Sequence, residues 1–128
     1  MKRTYFCVDV SGSISDQDLE VAIATITARA AGGKQGDYVL LFDAKVHGIW
    51  PVEDVLGRSF GEPSDLLRKL IPQWVGGGGS SSHEVLDAIE AHRKKHGIEE
   101  EAHKVLLSDL MMLYSDLAIF DEKINIHP

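Results

Sequence analysis

Apolar runs separated by turn-forming residues set the first expectations for this chain. Tyr5-Phe6-Cys7-Val8 is apolar without alternation and gives way to Asp9 and a serine and glycine cluster, the pattern of a short strand covered on both faces. Strands of that kind usually belong to parallel sheets. Ser15 stands three positions before Asp18 in a capping-box-like pairing, and Leu19, Ile23 and Ile26 then recur at helical spacing until Gly32-Gly33, so a first helix is expected between these signals. Tyr38 to Phe42 predicts a second buried strand. Asp43-Ala44-Lys45 reads as a tight turn into Val46 to Trp50, with Pro51 ending the run, which predicts a hairpin.

Further along, a short helix is expected from Ser64 to Leu70, ahead of Pro72. The tract Gly76 to Gly79, followed by Ser80-Ser81-Ser82, leads into a long helix marked by Val85 and Ile89 and ended by Gly97. Lys104 to Leu107 repeats the apolar strand with a polar tip, here Ser108-Asp109, and Ile124-Asn125-Ile126 is expected to be a last edge strand. The stretch Leu110 to Phe120 follows no single period. Strands alternating with helices predict a three-layer, doubly wound α/β fold with helices on both faces, Rossmann-like and mostly parallel, with one antiparallel strand from the hairpin. A length of 128 residues suits one such core and not two, so 1–128 is expected to be a single domain.

Composition narrows the partners more than the fold. The hydrophobic share of 44% and charged share of 26% are those of an ordinary globular chain. Thirteen Lys and Arg against twenty Asp and Glu leave a net charge of -7, which argues against nucleic acid or an anionic membrane and in favour of a cation or a basic surface. A lone cysteine, Cys7, excludes an internal disulfide and is expected to be a small core residue in a reducing compartment. The short apolar run before Asp9 is not a signal-peptide core and no stretch approaches membrane-spanning length, so a cytoplasmic protein is expected.

In sheets of this type, sites gather at the carboxyl ends of strands, where Asp9, Asp43 and Asp109 are all expected. Asp9-Val10-Ser11-Gly12-Ser13 sets one carboxylate and two hydroxyls at alternate positions of one loop, with Gly12 permitting a tight backbone. All the donors are oxygen, so a hard divalent cation is expected, Mg²⁺ first and Mn²⁺ or Ca²⁺ next, rather than zinc. The bland reading is a serine-rich turn capping the first helix.

These five residues resemble the Asp-x-Ser-x-Ser signature of the von Willebrand factor A (VWA) domain, whose cation centre is the metal-ion-dependent adhesion site. That family adds a Thr from a second loop, matched here by Ser80, and an Asp after the fourth strand, matched by Asp109. Phe42-Asp43-Ala44 with Val46-His47-Gly48, the glycine tract and Ser108-Asp109 together resemble more closely the VWA-like domain found C-terminal in predicted bacterial metallopeptidases, over nearly the whole chain. Two departures are Ser80 where Thr is usual, which keeps the hydroxyl, and Leu110 where Gly commonly follows the Asp. The resemblance implies metal ligands Asp9, Ser11, Ser13, Ser80 and Asp109. Asp43, Ser81 and Ser108 are candidates for hydrogen-bonding those ligands rather than touching the ion, Asp43 being equally well a turn residue. The implied action is metal-dependent recognition of a protein partner that supplies an acidic side chain, not turnover. No catalytic residue is expected.

Other motifs carry less. The glycine tract lacks the lysine of a phosphate loop, and His83-Glu84 lacks the second histidine of a zinc protease, since position 87 is Asp. His92 and His96, one helical turn apart, have the spacing of a transition-metal pair, yet beside Arg93, Lys94 and Lys95 they read as a solvated face. Met111 to Tyr114 reads as core more readily than as a docking surface, and Trp50 and Trp74 stay open between core and exposed anchors. Two competing functions remain. One is an Mg²⁺-dependent hydrolase or phosphatase using Asp9, disfavoured by the absence of an evident histidine base near the loops; the other is a metal-free scaffold subunit.

Overall fold

The computed structural model describes residues 3–12, 14–30, 36–56, 82–112 and 114–127. Along them run β1 (Arg3–Asp9), α1 (Asp16–Ala30), β2 (Tyr38–Phe42), β3 (Val46–Pro51), α2 (Val52–Leu56), α3 (Ser82–His96), β4 (Ala102–Ser108), α4 (Tyr114–Leu117) and β5 (Glu122–Asn125). The strands make one sheet in the order β3-β2-β1-β4-β5. β1 is parallel to both β2 and β4, β5 is parallel to β4, and β3 turns back antiparallel on β2. The fold is therefore mixed α/β, with a mostly parallel sheet and one antiparallel pair.

The unbroken apolar run of β1 follows from its central place, because a strand flanked by two others and covered on both faces has no side left for polar residues. Phe6 and Val8 point to one cluster with Leu19, Ala22, Ile23 and Ile26 of α1 and Val52 and Val55 of α2. Tyr5 and Cys7 point to the other, with Leu40, Phe42, Leu106 and the α3 residues Val85 and Ile89. Leu19 and Ile26 are fully enclosed, and burial on that scale stabilises by about 2 kcal/mol for each side chain. The outer strands read differently: β3 is half-exposed throughout and β5 alternates between half-buried and exposed positions.

One long helix opens, and the other closes, by recognisable chemistry. The Ser15 backbone N–H donates to Asp18 Oδ2 at 2.9 Å and the Asp18 N–H donates to Ser15 Oγ at 3.2 Å, the reciprocal pair expected of a capping box. At the other end of α3, Gly97 has φ of 62°. Ile98 N–H reaches back to Arg93 O at 2.9 Å and Gly97 N–H to Lys94 O at 3.4 Å. That is a Schellman closure, for which glycine is the natural residue.

Three expectations are corrected or refined. The last strand is Glu122–Asn125 rather than 124–126, although Ile126 N–H still donates to Ser108 O at 3.0 Å. Among the described residues of the aperiodic stretch after Asp109, the one helix is the single turn of α4. Met111 and Tyr114 are not core: they are 83% and 85% exposed, while Leu110 and Met112 pack against the second cluster. The expected helix at 64–70, the glycine tract, Trp74 and the Gly32-Gly33 stop lie outside the described residues, whereas Trp50 packs beside the first cluster and Cys7 is buried as expected.

Candidate metal centre

Register brings the ends of β1 and β4 together. Val8 pairs with Leu107 and Asp9 with Phe42 of β2, so Ser108 comes up beside Asp9. The Asp9 side chain is 1% exposed. Its Oδ1 accepts the Ser11 backbone N–H at 2.9 Å, which folds the loop back on its own carboxylate, and its Oδ2 accepts the Ser108 hydroxyl at 2.7 Å. Ser11 itself is buried.

The same Ser108 Oγ lies 3.4 Å from Asp109 Oδ1 and accepts the Leu110 N–H at 3.0 Å, while the Met111 N–H donates to Asp109 Oδ1 at 3.1 Å. A hydroxyl carries one proton, and the shorter bond to Asp9 takes it. Two carboxylates therefore face one fully buried hydroxyl at the carboxyl edge of two adjacent parallel strands. Leu110, the next residue, has φ of 63°, the left-handed conformation that glycine adopts without strain.

The residues present fit a hard cation. Asp9, Ser11 and Asp109 offer only oxygen, and a buried and a half-buried carboxylate beside one hydroxyl concentrate negative charge at this edge. Among the described residues no three His, Cys, Asp or Glu side chains gather to hold a metal, so such a shell would need hydroxyls and water beside the two acids. Ser13, Ser80 and Ser81 lie outside the described residues.

Of the residues expected around the ligands, Ser108 stands between both acids. Asp43 is taken up by its own hairpin: Lys45 N–H donates to its Oδ1 at 3.1 Å, and His47 Nε2 lies 3.0 Å from its Oδ2. These bonds are those of a turn residue.

The sequence pattern did not reveal His127. After β5 its N–H donates to Asn125 Oδ1 at 2.9 Å, and its Nδ1 sits 3.1 and 3.2 Å from the two oxygens of Asp18, a carboxylate with no exposed surface. An imidazole thus stands against the first turn of the helix that follows the Asp9 loop, where the sequence showed no evident histidine. A buried acid in a helix's first turn signals that some partner exists. Nothing in the sequence says which.

The chain matches no protein-family model and no curated protein. Among the described residues no helix is long and apolar enough to cross a membrane.

Proposed function

We propose that this chain is a metal-ion-dependent protein-binding module of VWA type, a three-layer α/β domain acting in the cytoplasm without turnover. One divalent cation, Mg²⁺ in the first place, is held by Asp9, Ser11, Ser13, Ser80 and Asp109, with the Ser108 hydroxyl orienting Asp9 and the Met111 N–H orienting Asp109. The observation that carries this reading is the convergence of Asp9 and Asp109 on the Ser108 hydroxyl. Support also comes from the left-handed backbone at Leu110, where the family commonly has glycine. When bound, the cation supplies a Lewis-acidic position for an acidic side chain of the partner. The chain's own part is to keep Asp9 buried and preorganised: Ser11 N–H and the Ser108 hydroxyl fix both of its oxygens, so little side-chain freedom remains to be lost on binding.

The test is calorimetric titration of chelator-stripped protein with Mg²⁺, Mn²⁺ and Ca²⁺. Saturable binding to one ion per chain is expected, abolished in Asp9→Ala and weakened in Asp109→Asn, with both variants shown to be folded by circular dichroism. Failure of the wild type to bind any of the three ions, or undiminished binding by folded Asp9→Ala, refutes the reading.

A further inference from the structure

At the opposite end of β1, some four residues and hence about 13 Å along the strand from Asp9, a second group of side chains has no part in the proposed centre. His92 and His96 lie one turn apart on α3, with ring centroids 4.3 Å apart and planes tilted by 38°. His92 is half-buried and held from two sides: its Nδ1 is 2.9 Å from the Tyr5 hydroxyl, and its ring stands edge-on to Tyr38 at 4.4 Å. His96 is exposed.

We propose that His92 and His96 form a binding site for one borderline transition-metal ion of the Cu²⁺, Ni²⁺ or Zn²⁺ type, distinct from the hard-cation centre. Imidazole suits these ions where carboxylate and hydroxyl suit Mg²⁺, and residues four apart on a helix present their rings to one point. A metal-bound histidine is normally oriented by a partner on its other ring nitrogen. Tyr5 is such a partner: its phenol oxygen can accept from Nδ1–H, which leaves the lone pair on Nε2. Arg93 does not contest the site, since its guanidinium is engaged with Glu90 and the carbonyls of Glu99 and Glu100. His96 opens onto a polar cavity of about 430 Å³ shared with Arg3, Glu99 and Glu100, from which water can complete the coordination shell. The exposed His96 ring has the rotamer freedom to leave its stack and chelate.

The experiment titrates chelator-stripped full chain with Cu²⁺, Ni²⁺ and Zn²⁺, in the presence of excess Mg²⁺ to saturate any hard site. One ion per chain is expected, with Cu²⁺ tightest. Affinity should fall at least tenfold in His96→Ala, a helix-compatible change at an exposed position, and about tenfold in Tyr5→Phe. Asp9→Ala should leave it unaltered, so the outcome does not depend on the proposed adhesion-type centre. Absence of saturable binding, or equal affinity in wild type and His96→Ala, overturns the proposal; equal affinity in Tyr5→Phe removes the orienting role given to Tyr5.

Discussion

Leu110 carries two opposing contributions in one residue. Its side chain packs against the cluster that includes Phe42, Leu106 and Phe120, while its backbone takes the left-handed φ of 63°, which strains any residue with a Cβ by roughly 1–2 kcal/mol. Truncation to alanine loses the packing and keeps the strain, whereas truncation to glycine loses both. Leu110→Gly is therefore expected to be more stable than Leu110→Ala by on the order of 1 kcal/mol, the reverse of the usual order, as read from urea denaturation midpoints. Equal stabilities, or alanine the more stable, would remove the left-handed assignment. Packing of the Leu110 side chain thus offsets the strain of a backbone that glycine would adopt freely.

The elements were legible where a long apolar run or a cap announces them. β1 and β2, the hairpin through Asp43, the Ser15–Asp18 cap and the Gly97 stop all stand where the sequence pattern puts them. β5 and α4 were not legible in detail: at four residues each they are too short for either period to show, and their place is decided by pairing with β4 and packing beneath Phe120. The exposure of Met111 and Tyr114 was misread for a related reason. An apolar run signals burial only if its backbone is regular enough to aim every side chain inward, and the chain here is mostly irregular. At the site, the Asp9 loop and Asp109 could be read locally because each ends a strand. The Ser108–Asp9 hydrogen bond, the Asp18–His127 pair and the Tyr5–His92 contact are long-range, and only the assembled sheet brings such groups within reach.

On the scale of the whole molecule, burial leaves a mark on the pH dependence of stability. Tyr5 is enclosed between the sheet and α3, and burial, reinforced by Tyr38, raises its pKa from 10.0 to about 12. Between those values the unfolded chain has released the phenolic proton and the folded chain retains it, so stability contributed by Tyr5 is complete below pH 10 and is lost as pH rises toward 12. Urea midpoints are expected to fall across that window in the wild type and to fall less in Tyr5→Phe; parallel curves would exclude Tyr5 as the source. The sheet order has a further consequence, in time rather than space. The earliest strand in the sequence is the central one, and its two neighbours are of very different provenance, since β2 follows after one helix while β4 comes only at Ala102–Ser108. Closing so long a stretch of chain is slow compared with forming a hairpin. During refolding the β2–β3 amides are thus expected to gain protection in pulse-labelled hydrogen exchange before those of β4, and simultaneous or earlier protection of β4 would contradict this order. Asp9 then meets the Ser108 hydroxyl only when β4 docks, so the candidate centre is completed late, and a cation present during refolding would find its acidic cradle only in chains whose sheet is already nearly whole.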